Sequence, residues 1–273
     1  MRGRTTFRLA LVALIALSAA ACSSDDDGES SATPDPTAAP TTGVTAPLQV
    51  LVTNDDGVEA AGIDALVQAL LGLPDTEVTV VAPAGNQSGS GSNTTPGPLA
   101  VTDATTASGY PAKAVEGFPA DAIIWALDQD GVDVRPQLVI SGINAGQNLG
   151  PATEISGTVG AAKAAVARGI PALATSQGFA ETPDYPAAVD EILSWLELHR
   201  GELTEGTADL IVDNLNVPTC ETGTVRGLIE QPVAVEAGDR NVLVVDCLST
   251  KNDFVDDVDA FINGYAVLSD IAA

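Results

Sequence analysis

Apolar and polar positions follow two different periods along this chain. Leu48 to Thr53 is a short apolar run rich in β-branched residues, as expected of a strand buried on both faces. Ile63, Leu66, Val67, Leu70 and Leu71 then recur at helical spacing, so the turn Asn54-Asp55-Asp56-Gly57 is predicted to join a strand's carboxyl end to a helix. Glu77–Pro83 reads as a second strand, residues 99–117 as short strands with turns, and Phe118–Leu127 as a helix with Pro119 in its first turn. Pro136–Gly146 is a third apolar strand running into a Gly/Asn-rich turn. Ser156–Gly169 is a helix opened by Ser156 or Thr158 and closed by Gly169, and Ile170–Thr175 is a fourth strand. Pro183, Tyr185, Val189, Ile192, Leu193 and Leu196 mark an amphipathic helix running to about His199. This alternation over residues 48–205 predicts an α/β core with a mostly parallel sheet flanked by helices. From residue 206 to 273 the pattern changes. Strands are expected at Leu210–Leu215, Val225–Ile229, Val233–Val235 and Val242–Asp246, followed by a helical turn, a break at Gly264 and a closing strand. That is the pattern of a β-rich extension, either a small subdomain or protruding hairpins.

Charge changes the picture of what the chain can bind. Its 273 residues are 45% hydrophobic, enough for a sizeable core, and carry 11 Lys and Arg against 37 Asp and Glu. Arg2, Arg4 and Arg8 belong to a basic segment followed by the apolar run Leu9–Leu17, too short to span a bilayer, and by Ser18-Ala-Ala-Ala-Cys22. Residues 1–22 resemble a bacterial lipoprotein signal, with Cys22 the lipidated residue of an exported, membrane-anchored protein. An ordinary secreted protein cut near Ala21 is the other reading. Removal of the signal leaves eight basic against 37 acidic residues, a net charge of −29. Such a surface disfavours nucleic acid and anionic membranes, and any membrane contact would come through the lipid anchor. Residues 23–47, rich in Ser, Asp, Thr, Pro and Ala, read as a disordered tether reaching at most roughly 80–90 Å. Two further cysteines, Cys220 and Cys247, suggest a disulfide in an oxidising compartment, with two buried thiols as the alternative. The single histidine, His199, falls near a charged helix end and reads as solvated.

Candidate chemistry concentrates at strand ends, where open parallel sheets bind ligands. Asp55 and Asp56 repel each other, and a compensating cation would be Mg²⁺, Mn²⁺ or Ca²⁺ rather than zinc. An Asp-rich surface turn is the plainer reading. The aperiodic run Ala84–Thr95 is either a flexible loop or a ligand loop that brings Ser88 to the same edge. Asn144 holds the equivalent position after the third apolar strand. Ser156-Gly157-Thr158 can present free N–H groups to a phosphate or simply cap its helix. With so few basic side chains, a phosphate site here would depend on metal and backbone N–H groups.

Four collinear motifs resemble one family. Asn54-Asp55-Asp56-Gly57, Asn86-Gln-Ser88-Gly89, Ser141-Gly-Ile-Asn144-Ala-Gly146-Gln-Asn148 and Ser156-Gly-Thr158-Val are similar to those of the SurE nucleotidases and acid phosphatases, over residues 48–180. A weaker likeness continues through Asp213-Asn-Leu-Asn-Val-Pro218 and Asp259–Tyr265. The resemblance implies a Rossmann-like sheet and metal-dependent hydrolysis of nucleoside 5′-monophosphates by an activated water, with Asp55 or Asp56 taking its proton. It implies one Mg²⁺ or Mn²⁺ per subunit on Asp55, Asp56, Ser88 and Asn144. Phosphate would lie near Asn54, Gly89, Ser156, Gly157 and Thr158, and subunits would form a homodimer or homotetramer. The chain departs from the family in its export signal and in Glu116-Gly-Phe-Pro119, where Asn-Gly-Thr-Pro is frequent. A non-enzymatic solute-binding lipoprotein is the alternative from another class. A dinucleotide oxidoreductase is disfavoured, because no Gly-x-Gly-x-x-Gly opens the first helix.

Overall fold

The structure, a computed structural model, describes residues 46–272. The expected signal segment with Cys22, and the expected tether as far as residue 45, lie outside the described residues. β1 (Leu48–Thr53), α1 (Ala61–Leu71) and β2 (Thr76–Pro83) form the opening unit. Then come β3 (Val101–Thr105), β4 (Pro111–Val115), α2 (Pro119–Asp128), β5 (Leu138–Ala145) and a short 3-10 helix over Gly150–Glu154. α3 (Gly157–Val166), β6 (Ala172–Gln177), α4 (Tyr185–Glu205) and β7 (Val212–Val217) complete the alternation, before β8 (Leu228–Glu230), α5 (Asp257–Ile262) and β9 (Ala266–Ile271).

All nine strands join one sheet in the order β3, β4, β2, β1, β5, β6, β7, β9, β8, and only β3/β4 and β7/β9 pair antiparallel. The strand order reverses at β1. Its crossover through α1 leads to β2 on one side, while β5 pairs with its other side. Two apolar layers sandwich the sheet. Ile63, Leu66 and Leu70 of α1 pack with Ile192 and Leu196 of α4 on one face. Ile123 of α2 and Val159, Ala162 and Val166 of α3 pack on the other. A doubly wound sheet of this kind opens a crevice at the carboxyl ends of the strands flanking the reversal, here β1 and β5.

The expected core elements are present, with α4 extending six residues beyond His199 to a left-handed cap at Gly206 (φ 70°). His199 is accordingly not at a solvated helix end. It is half-buried, stacked on Trp195 at 4.6 Å between ring centres and 3.5 Å from Glu202.

The C-terminal part is less β-rich than its sequence suggests and makes no separate subdomain: β7, β9 and β8 extend the main sheet. The strands expected at Val233–Val235 and Val242–Asp246 are absent. Ala234 donates its N–H to Asp257, the Asn241 side chain accepts from Leu243 N–H, and the Asp246 side chain accepts from Leu248 N–H. These side chains offer the backbone local partners in place of a ladder. Val235 and Val244 remain exposed, at 90% and 63%, while Val242 and Val245 pack partly against the cluster that holds Phe261 and Val258.

Cys220 and Cys247 are joined in a disulfide with Cα atoms 5.8 Å apart, closing a loop whose ends are 27 residues apart. By loop-closure entropy this bond contributes roughly 3.5 kcal/mol. Chemical denaturation with and without reductant should show a loss of that order for the intact protein. Cys247→Ser should start from the lower value and respond to reductant not at all.

Candidate metal and phosphate site

The end of β1 is shaped by Asn54. Its side-chain amide donates to Gly57 O (2.8 Å) and its Oδ1 accepts from Gly57 N (3.2 Å), all buried. Gly57 takes φ +106° and faces the backbone of Gly85 so closely that a Cβ would lie 3.1 Å from its carbonyl carbon. This tight turn sends the two following carboxylates in different directions.

Asp55 turns toward α3 and is 3% exposed. Its Oδ1 accepts from the Thr158 hydroxyl at 2.8 Å. Gly157 makes this approach possible, since a Cβ there would lie 2.8 Å from Asp55 Cβ. Burial raises the Asp55 carboxyl above its ordinary pKa, the Thr158 hydrogen bond opposes that shift, and the charge of Asp56 adds to it. Asp56 turns toward β5 and is half-buried. Its Oδ1 accepts from the Asn86 amide at 3.2 Å and its Oδ2 from Ala145 N–H at 3.0 Å.

The Ala84–Thr95 run is tied down by its backbone. Gln87 N–H reaches Asp55 O at 2.7 Å, Ser88 N–H reaches the Asn86 side chain at 3.0 Å, and Gly91 N–H reaches Ile155 O at 2.9 Å. The loop therefore wraps the two aspartates and leaves Ser88 and Gly89 exposed, with Gly89 at φ +77°. Across the crevice, Asn144 is half-buried at the end of β5. Its amide donates to Gly146 O at 2.5 Å, which leaves Oδ1 as the side chain's acceptor.

The expected metal ligands thus belong to three segments that meet at Asp55 and Asp56. The phosphate residues are divided. Gly89 is open, whereas the Asn54 side chain is wholly engaged with Gly57 and Ser156 caps α3 by accepting from Val159 N–H at 3.1 Å. The side chains of Asn54 and Ser156 therefore build the turn and the helix start, and the Ser156 hydroxyl keeps its own O–H as a donor. The Thr158 hydroxyl points to Asp55, and the α3 N-terminus is aimed at the same carboxylate.

Several neighbours were not singled out by sequence reasoning. Asn86, two residues before Ser88, bonds directly to Asp56. Ser90 has a buried hydroxyl with no partner among the described residues, beside Gly157. Tyr185 is half-buried against Gly62, whose Cβ would lie 3.1 Å from its ring. Its phenol is pushed above the usual range by burial and then by the charge of Asp56. In the sequence Tyr185 marks only a helix face, and nothing local connects it to residues 130 positions away.

The donor set suits a hard divalent cation. Two adjacent carboxylates, a hydroxyl and an amide oxygen are all oxygen ligands. Neither aspartate enters a salt bridge among the described residues. The basic side chains are held elsewhere, as with Lys163 on Glu154, Arg168 on Asp128 and Lys251 on Asp259. Among the described residues no three His, Cys, Asp or Glu side chains gather as a metal cluster, so Ser88 and Asn144 would have to complete the set. A cavity of about 1000 Å³ lies away from this crevice, between the start of β2 and the β3–β4 hairpin, lined by Thr76, Val78, Tyr110 and Lys113.

Comparison with known proteins bears on the fold and the family. A family model described as survival protein SurE matches residues 50–236. The 5′-nucleotidase SurE 1 of Burkholderia lata is 40% identical over 181 residues, 66% of this chain and 68% of that protein. The 5′-nucleotidase SurE of Symbiobacterium thermophilum is also 40% identical over 181 residues, 66% of this chain and 69% of that protein. The crystal structure of the SurE protein from Aquifex aeolicus superposes with a TM-score of 0.66 at 27% identity, covering 82% of this chain and 92% of that one. The family model spans more than half of the chain, the doubly wound sheet superposes on that of a SurE protein, and the chain belongs to the SurE family.

Proposed function

We propose that this chain is a metal-dependent 5′-nucleotidase, hydrolysing nucleoside 5′-monophosphates to nucleoside and phosphate. The observation that carries the reading is the Asp55–Asp56 pair, held toward α3 and β5 by Thr158, Asn86 and Ala145, with no salt bridge to either carboxylate among the described residues. The curated relatives' shared name, 5′-nucleotidase, supports the substrate class. One Mg²⁺ or Mn²⁺ per subunit would be held by Asp55, Asp56, Ser88 and Asn144. When bound, such an ion supplies polarisation of a phosphoryl oxygen and lowers the pKa of a coordinated water.

The chain's own groups divide the remaining work. Asp55 is fixed by Thr158. Asp56, the more exposed of the two, would take the proton from an attacking water. The α3 N-terminus puts partial positive charge beside Asp55 and the phosphoryl group, and Gly89, with no side chain, lets backbone come close to an anion.

The export signal supports action outside the cell membrane on a lipid anchor at Cys22. Exposed Val235, Leu243, Val244, Leu248 and Val255 support a homodimer or homotetramer built through the C-terminal segment. The test is phosphate release from a panel of nucleoside monophosphates with Mg²⁺ or Mn²⁺ and with chelator. Release that requires metal, together with a melting temperature lowered by chelator, is expected. A folded protein that binds nucleotide but releases no phosphate with any metal would establish the solute-binding reading instead.

A further inference from the structure

β7 carries two asparagines, Asn214 and Asn216, which are 0% and 1% exposed. Spaced by two residues, they share one sheet face, opposite Leu215 in the α1–α4 layer. Buried amides in a central strand are costly unless their hydrogen bonds are made. Here their bonds converge on one residue outside the strand, and Asn214 Oδ1 alone has no partner among the described residues. Asn216 Oδ1 accepts from Asn148 N–H at 2.7 Å, and its amide donates to Asn148 O at 3.2 Å. Asn214 donates to the same carbonyl at 2.9 Å. Asn148 in turn donates through its own amide to Ser176 Oγ of β6 at 3.0 Å.

The side chain of Asn216 thus pairs with both backbone groups of Asn148, as a neighbouring strand would. Asn148 lies in the loop that follows β5, four residues past Asn144 and three past Ala145, whose N–H holds Asp56. The loop is pinned on either side as well, by Gly146 N–H on Gln177 O (2.9 Å) and Gly150 N–H on Asp257 Oδ2 (2.8 Å). A segment that would otherwise be free beyond its strand is held at three alternate residues, with its Asn144 end facing the aspartates.

We infer that Asn214 and Asn216 are positioning residues for the cation site, acting through Asn148 to fix Asn144 and the Ala145 N–H against Asp56. This inference rests on the metal-dependent reading above. Residues that orient a metal's ligands commonly change affinity tenfold or more when removed.

The test is Mn²⁺ binding by calorimetry to the folded, metal-stripped protein without substrate, with melting temperature measured in parallel. Asn216→Leu, which removes both bonds to Asn148, should raise the Mn²⁺ Kd by about tenfold or more. Asn214→Leu, which removes one, should raise it less. Leu215→Ala, on the same strand and the opposite face, should lower the melting temperature while leaving the Kd within about twofold, because it leaves the Asn148 clamp intact. Wild-type Kd in the asparagine variants, or an equal loss of affinity in Leu215→Ala, would overturn the inference. If Asn216→Leu does not fold, the contrast between Asn214→Leu and Leu215→Ala decides the matter in the same terms. A wild type that takes up no Mn²⁺ overturns the cation reading itself, and this inference with it.

Discussion

Asp56→Asn should lower phosphate release from nucleoside 5′-monophosphates by a factor on the order of 10³ or more, with the protein still folded. The substitution keeps the side chain's shape, and its remaining oxygen can still accept from Asn86. It removes the charge on which a divalent cation depends. It also leaves one oxygen for two donors, so the new NH₂ group faces either Ala145 N–H or the Asn86 amide, both of which Asp56 now accepts. Donor facing donor displaces the loop that carries Asn144 or the one that carries Ser88, so a second proposed ligand is disturbed by one substitution. The check is steady-state kinetics across a Mn²⁺ titration, together with the melting shift that Mn²⁺ induces. That shift should be present in the wild type and absent in the variant. Activity above a tenth of wild type would remove Asp56 from the mechanism.

Gly157→Ala tests the other wall of the crevice. A methyl group at this position would lie 2.7 Å from Ser90 Oγ, 2.8 Å from Asp55 Cβ and 3.0 Å from Asp55 Oδ2. α3 cannot easily retreat, because one turn further on Gly160 sits directly on the Gly91 carbonyl. Overpacking of this kind costs about 1–3 kcal/mol, and a displacement of about 1 Å at a reacting group costs on the order of 10² in rate. Both a lower melting temperature and a kcat reduced about 100-fold are expected. Gly201→Ala provides the contrast: in the interior of α4 with nothing within 4 Å, it should raise stability by about 0.5–1 kcal/mol and leave kcat unchanged. If Gly157→Ala retained full activity, the close contact between α3 and Asp55 would have no catalytic weight.

The core was legible because its signals are local. The apolar runs at Leu48–Thr53 and Leu138–Ile140 suit buried strands, and the 3.6-residue spacing from Ile63 to Leu70 suits a helix packed on such a sheet. The C-terminal segment was read less well for an equally local reason. Val242 to Val245 has strand composition, but Asn241 and Asp246 beside it supply turn-forming acceptors, and side-chain competition decided the outcome.

By itself, the sequence determined the α/β alternation, the paired carboxylates at a strand's end, the scarcity of cations and the family motifs, since each is a property of neighbouring residues. Only the tertiary structure decided which polar groups face the crevice and which serve the fold. Asn54 and Ser156 turn inward to Gly57 and Val159. Thr158 crosses 103 residues of sequence to reach Asp55, and Asn216 crosses 68 to hold Asn148. Such pairs exist only once the sheet has set β1, β5, β6 and β7 side by side. Hydrogen bonds require donor and acceptor within about 3 Å, and no sequence spacing encodes that distance for residues on different strands.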